Sequence, residues 1–301
     1  MYSELANIHE TRRVLEEYGL ATKKRLGQNF LVSDDVIGRI LDLAELDGSD
    51  VVLEVGPGIG TLTVAMLPRA GAVVALEADP SLERALAHAA DAFPGRLSLV
   101  MGDALRATPA SVARAVASLG LDGLAASPDK LVSNLPYQVA ATVLMRFMQQ
   151  MTSLDRAVVM VQAEVADRIA AVPGTKAYGA YTAKLALEGE VTGRFEVGPG
   201  CFCPPPHVSS AVVRIERRTP RDPETGEPLC RERVARVCRV IDAAFAQRRK
   251  TIRNSMSASG LDRAGLDAAF ADAGIDPGCR AETLSPADFV RLASAIEGGS
   301  L

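Results

Sequence analysis

Tryptophan is absent from this 301-residue chain, aromatic residues make up only 4% of it, and histidine occurs three times, at His9, His88 and His207. Histidines so few and so scattered offer little for a histidine metal site or a Ser-His-Asp triad. The five cysteines, Cys201, Cys203, Cys230, Cys238 and Cys279, are odd in number and form no CxxC pair. That pattern argues against zinc and against a disulfide framework, and it reads as reduced thiols of a cytoplasmic protein. No metal site is expected. No apolar run approaches the ~18 residues of a membrane-spanning helix, so no membrane role is expected. The opening MYSELANIHETRR has no apolar core of the secretory kind. The net charge of −4 does not suggest wholesale attraction to nucleic acid.

Bulk charge hides clusters. Between Arg231 and Arg253 lie seven arginines and one lysine against Glu232 and Asp242, a local charge of +6, and Lys23, Lys24 and Arg25 form a second basic group. Such runs are more often solvated faces than binding sites.

Short apolar runs alternate with helical patterns through the first two thirds of the chain. Val51–Val55, Ala72–Leu76, Leu97–Met101, Lys130–Ser133 and Ala157–Val161 read as strands buried on both faces. Helices are predicted after Ser33, from about Leu62, and over 81–92, 109–119, 141–151 and 163–172. Ser33 followed by Asp34 and Asp35 is a helix start, with Gly48 as its close. This alternation predicts a mostly parallel α/β sheet covered by helices, with its ligand site at the carboxyl edge of the strands. The segment 106–129 is long for one crossover and is expected to carry extra surface helix. Residues 217–228 (RRTPRDPETGEP) read as a linker, and the chain beyond them is helical in pattern. The expected division is a catalytic domain over 1–216, the linker, and a small all-α domain over 229–301.

The segment Glu54-Val-Gly56-Pro-Gly58-Ile-Gly60 comes after one predicted strand and precedes a helix. Glycines there allow a sharp turn and a close backbone approach to a ligand. Glu77 lies 21 positions beyond Gly56, at the next strand end, where a carboxylate can accept both hydroxyls of a ribose. Asp103, at the third, can accept from an adenine amino group. The spacing is GxGxG, which disfavours a nicotinamide dinucleotide. The arrangement resembles the S-adenosylmethionine-dependent methyltransferases of Rossmann-like fold, class I, and S-adenosylmethionine is the cofactor it implies.

Asn134-Leu135-Pro136-Tyr137 ends the fourth strand. An exocyclic adenine amine is a weak nucleophile because its lone pair is delocalised into the ring. The Asn134 side-chain carbonyl and the Leu135 main-chain carbonyl could accept its N–H groups and favour a more tetrahedral nitrogen. Pro136 would stiffen the turn, and Tyr137 would offer a face for an extruded base. Phe202 could close the base's other face or could be a core aromatic; the sequence leaves these even.

These motifs combine with Lys24-Arg25-Leu26-Gly27-Gln28-Asn29-Phe30-Leu31, with Phe202-Cys203-Pro204-Pro205-Pro206 and with Gln247-Arg248-Arg249-Lys250-Thr251-Ile252-Arg253. Together they resemble the ribosomal RNA adenine dimethyltransferases of the KsgA type over nearly the whole chain. The resemblance implies transfer of four methyl groups to two adjacent adenosines, in a hairpin loop near the 3′ end of small-subunit ribosomal RNA, during subunit assembly. By position it puts cofactor contacts on Asn29, Leu31, Gly56, Glu77, Asp103 and Asn134, with Gly58 and Gly60 completing the glycine turn. It tips Lys23, Lys24, Arg25, Arg249, Lys250 and Arg253 toward RNA phosphates. Arg248 is placed in the same group, but on a continuous helix over 241–256 it falls on the apolar face with Ile241, Phe245, Ile252 and Met256. It is therefore expected to be partly buried and paired with an acid. Rival readings are a large-subunit adenine methyltransferase of the antibiotic-resistance kind, and an assembly checkpoint whose binding matters more than its catalysis. A monomer is expected.

Overall fold

The computed structural model describes residues 1–21, 28–260 and 262–298. In chain order the elements are α1 (Ile8–Glu17), β1 (Phe30–Leu31), α2 (Asp34–Ala44), β2 (Val51–Val55), α3 (Thr61–Met66), β3 (Ala72–Glu77), α4 (Glu83–Ala89), β4 (Leu97–Met101), α5 (Pro109–Ala117), β5 (Lys130–Asn134), α6 (Ala140–Gln150), β6 (Arg156–Gln162), α7 (Ala163–Ile169), α8 (Ala180–Glu188), β7 (Gly189–Val197), β8 (Phe202–Cys203), β9 (Ser210–Arg217), α9 (Arg231–Phe245), α10 (Ile252–Ala258), α11 (Arg263–Asp272) and α12 (Pro286–Gly298). Seven strands form one sheet in the order β4-β3-β2-β5-β6-β9-β7. β2 to β6 run parallel, as the strand–helix alternation predicts, and β9 runs antiparallel to β6; β4, expected to be buried on both faces, is an edge strand with only Ser98 buried.

Every residue of β2 and β3 is buried. One sheet face, carrying Val52, Val73, Val132, Val158, Met160 and Val212, packs against Ile37, Ile40, Leu41 and Ala44 of α2 and Leu62, Ala65 and Met66 of α3. α2 starts as predicted: the Ser33 hydroxyl accepts the Val36 N–H at 3.5 Å, and Asp34 and Asp35 sit at the positive dipole end. It ends earlier than Gly48. Glu45 takes a left-handed φ of 48°, and its carboxylate is held by Arg214 at 2.6 Å and Arg156 at 2.9 Å.

The chain divides into two compact units. One holds Met1–Ala166 and Val191–Arg217; the other holds the described residues of Asp167–Glu190 and Arg218–Leu301. The expected boundary at 216/217 is thus corrected for 167–190, which cluster with the helical unit. The reason is packing: Tyr178, Ala183 and Leu187 share a core with Val237, Ile241, Phe270 and Phe289. The Tyr178 hydroxyl also donates to the Leu284 carbonyl at 2.9 Å. The linker begins one residue later than expected, because Arg217 closes β9. The segment 106–129 carries only α5.

The expected continuous helix over 241–256 is broken. α9 ends at Phe245 and α10 starts at Ile252, capped by the Thr251 side chain. The Ser255 hydroxyl accepts the Gln247 N–H and donates to the Ala243 carbonyl, both at 2.9 Å, satisfying backbone groups that the break exposes. Ile241, Ile252 and Met256 are buried as expected, whereas the residues between the helices turn outward.

Candidate active site

A cavity of about 360 Å³ opens at the carboxyl edge of the sheet, lined from the ends of β2, β3, β4 and β5 and from residues 28–31. The glycine turn forms its floor. Gly56 and Gly58 have φ of +71° and +65°, and a Cβ on either would come within 2.9 Å of Pro136 or 3.1 Å of the Phe30 ring. Only glycine leaves that backbone bare against a ligand. The expected third member, Gly60, has a structural role of its own. It caps α3 at φ +91°, where a Cβ would meet Leu86 at 2.9 Å, so its glycine serves turn and packing.

Glu77 is buried. Its Oε2 accepts the Gly58 N–H at 3.2 Å and its Oε1 accepts the Asp79 N–H at 2.8 Å. Burial raises its pKa, opposed by these two N–H donors. Asp79 in turn accepts from the Gln28 side chain at 2.8 Å, tying the segment ahead of β1 to the loop after β3. β1 is fixed by antiparallel pairing with β8, Leu31 opposite Phe202. That pairing brings Asn29 and Leu31 to the cavity wall. Asp103 lies at the exposed end of β4, its Oδ1 accepting the Leu105 N–H at 2.9 Å. Arg146 of α6 donates to the carbonyls of Leu105 and Ala107, which braces the loop behind Asp103.

Asn134, Leu135, Pro136 and Tyr137 line the same cavity. The Asn134 Nδ2 donates to the Asn29 carbonyl at 3.5 Å, and its Oδ1 accepts no hydrogen bond among the described residues. The Leu135 N–H donates to the Met160 carbonyl at 3.0 Å, which pins the turn to β6. Tyr137 is half-buried, its hydroxyl 2.5 Å from Ser210 Oγ, and burial raises its pKa. Phe202, for which the sequence left a base-facing role and a core role even, is 3% exposed, packs in the same core cluster as Leu31 and pairs with it across β1 and β8.

The sequence reading quoted Gln28 within its motif without a role of its own, gave none to Thr61 or Ser210, and quoted Glu54 only as the first letter of the glycine motif. Glu54 lines the cavity yet is 2% exposed, and burial pushes its pKa up to about 8 although Thr63 donates to Oε2 at 2.6 Å. Its signal was present: a carboxylate inside an otherwise apolar buried strand.

The basic residues divide. Lys23, Lys24 and Arg25 lie outside the described residues. Arg249 and Lys250 are exposed. Arg248 is paired with an acid as expected, Glu282 at 3.7 Å, but it is 56% exposed rather than partly buried, because the helix breaks before it. Arg253 is bound to Asp267 at 2.6 Å. Among the described residues no metal-ligand cluster occurs, and no helix is long and apolar enough to cross a membrane.

A nucleoside-sized ligand with hydroxyl donors fits this cavity: a buried carboxylate at a strand end, a bare glycine backbone, and an exposed acid beyond. Comparison with known proteins agrees. The family model described as ribosomal RNA adenine dimethylase matches residues 19–297. The chain is 43% identical over 289 residues to ribosomal RNA small subunit methyltransferase A of Nocardia farcinica, covering 95% of this chain and 93% of that one. It is 42% identical over 288 residues to the same-named protein of Thermobifida fusca, covering 94% and 93%. Among solved structures, the 23S rRNA methyltransferase ErmE matches with a TM-score of 0.63 at 26% identity, over 89% of this chain and 100% of that one. A dimethyladenosine transferase from Plasmodium falciparum matches with a TM-score of 0.68 at 21% identity, over 87% and 95%. The fold is the Rossmann-like class I methyltransferase fold expected above. The chain belongs to the ribosomal RNA adenine dimethylase family.

Proposed function

We propose that the protein methylates the N6 amines of two adjacent adenosines in a hairpin loop near the 3′ end of small-subunit ribosomal RNA. It places four methyl groups in all, acts as a monomer in the cytoplasm, and meets its RNA in an assembling small subunit. The observation that carries the reading is the shared cavity: Asn134–Tyr137 line it together with Glu77 and the glycine turn.

S-adenosylmethionine, when bound, supplies a methyl group on a cationic sulfonium. Glu77 accepts the ribose hydroxyls, and Asp103 accepts from the adenine amine. Asn29, Leu31, Gly56 and Gly58 contribute walls and backbone. The Asn134 Oδ1 and the Leu135 carbonyl accept the N–H groups of the target adenine and hold its nitrogen toward the donor. Tyr137 stacks on the base. Charge is dispersed rather than created, so positioning dominates and no strong base is needed. Arg248, Arg249 and Lys250 meet RNA phosphates at the turn between α9 and α10.

The large-subunit reading is not favoured. The relatives at 42–43% identity are named for the small subunit, whereas the 23S enzyme is 26% identical. The checkpoint reading is separated by an Asn134→Ala protein that supports assembly without methylating. The direct test is incubation with labelled S-adenosylmethionine and small subunits lacking the modification, then nucleoside mass spectrometry. Dimethyladenosine confined to the 3′-end hairpin is expected; its absence there despite cofactor binding would sink the proposal.

A further inference from the structure

The strand order reverses between β2 and β5. In open α/β sheets the strands part at such a point and a ligand crevice opens there. The pairing records the parting. β2 pairs with β3 as far as Val55 opposite Leu76, and β5 pairs with β6 as far as Asn134 opposite Met160. Between β2 and β5 the last paired residues are Leu53 and Leu131. Beyond them the two strands run on to Gly56 and Asn134, both of which line the cavity.

A side chain takes over where this ladder stops. Ser133 is 1% exposed and follows the buried Leu131 and Val132. Its hydroxyl accepts the Val55 N–H at 3.3 Å and donates to the Val55 carbonyl at 2.6 Å. One hydroxyl thereby engages both backbone groups of a buried residue, groups that are costly to leave unpaired. The link joins the residue before Gly56 to the residue before Asn134. Beyond it the two strand ends meet again, since a Cβ on Gly56 would come within 2.9 Å of Pro136.

We propose that Ser133 is a positioning residue for methyl transfer: its hydroxyl fixes the spacing across the β2–β5 seam, and with it the placement of Asn134 and the target amine relative to the cofactor. This rests on the methyl-transfer reading above. In-line transfer is sensitive to that spacing, because a misplacement of about 1 Å can cost about a hundredfold in rate. Ser133 acts through Asn134 rather than on the reacting atoms.

The test compares single-turnover methyl transfer, at saturating concentrations of S-adenosylmethionine and of small subunits lacking the modification, with calorimetric binding of S-adenosylhomocysteine. Ser133→Ala is expected to slow transfer about tenfold or more and to bind S-adenosylhomocysteine as the wild type does. Ser133→Cys, whose thiol is a weaker donor and acceptor, is expected to fall between the two. Ser98→Ala is the control for general loosening of the sheet. It removes a strand hydroxyl on β4, 3.4 Å from that of Ser118, and is expected to transfer at the wild-type rate. Transfer at the wild-type rate by Ser133→Ala, or by Ser133→Cys should the alanine variant not fold, overturns the assignment, as does an equal slowing in Ser98→Ala. A loss of S-adenosylhomocysteine affinity large enough to account for the slowing overturns it too. A wild-type protein that binds S-adenosylhomocysteine but transfers no methyl to these subunits would instead overturn the methyl-transfer reading beneath it.

Discussion

The Tyr137 hydroxyl and the Ser210 hydroxyl lie 2.5 Å apart, joining the end of the Asn134–Tyr137 motif to the first residue of β9. Ser210 is fully buried opposite Gln162 of β6, so the phenol is anchored to the sheet itself. Burial raises the phenol's pKa, against the Ser210 hydrogen bond, which lowers it. Ser210→Ala is expected to lower kcat by about ten- to hundredfold, the scale of a displaced positioning group, with S-adenosylhomocysteine affinity unchanged. Tyr137→Phe keeps the ring and loses the same bond, so it should match. A Tyr137→Phe enzyme at wild-type rate would show that the bond is not used.

Asn134→Ala removes an acceptor for the target amine. Methyl transfer should fall by about 10²–10³-fold, as for loss of one oriented polar group in an active site. Cofactor binding, measured by calorimetry, should change far less, because Glu77 and the glycine turn are untouched.

The glycines separate binding from stability. Gly58→Ala forces a Cβ against the Phe30 ring at the cavity floor and should chiefly weaken cofactor binding. Gly60→Ala forces one against Leu86 at φ +91° and should chiefly destabilise the fold, by about 1–3 kcal/mol. Melting curves and cofactor titrations of both variants distinguish the two.

Glu54 makes the ligand-free protein sensitive to alkali. Its folded pKa of about 8 stands above the ordinary carboxylate value of 4.5. Between those values the folded state holds a proton that the unfolded state has released, so stability falls as pH rises through that window. Above about pH 8 the buried carboxylate ionises and the loss is complete. Tm should therefore drop between about pH 5 and about pH 8, and Glu54→Gln should flatten the drop. A wild-type and Glu54→Gln pair with parallel profiles would contradict the assignment.

At the turn after α9 the charges differ in availability. Replacing Arg249 and Lys250 together by alanine should weaken RNA binding and reduce its salt dependence, by about 0.7–0.9 in slope for each phosphate no longer neutralised. Arg253→Ala should instead lower stability, because Arg253 is already engaged by Asp267. Filter binding across a salt series checks the first and thermal melting the second.

How far the sequence could be read depended on whether a feature was local. The strand runs, the Ser33 cap and the glycine turn depend on periodicity and backbone sterics within a few residues, and they appear where expected. The break after Phe245 was hidden, because the Ser255 hydroxyl that bridges Gln247 and Ala243 makes bonds no helical wheel contains. Arg248 consequently sits on a turn, not on an apolar face. Phe202 was undecidable from its loop, and its pairing with Leu31 buries it. Phe202→Ala should thus cost about 3–5 kcal/mol of stability, as emptying a buried aromatic site usually does.

By itself the sequence determined the strands β2 to β6 and the helices between them, the glycine-lined turn and the acids at the strand ends, because each arises from local pattern and chain chemistry; β1, β7, β8 and β9 were not read from it. Only the tertiary structure decided which of those groups meet. Glu77 reaches Gly58, Ser210 anchors Tyr137, residues 167–190 join the helical core, and Thr61 is left buried without a partner among the described residues. These depend on strand order and packing between segments distant in the chain, where burial, not residue type, sets whether a polar group is engaged or available.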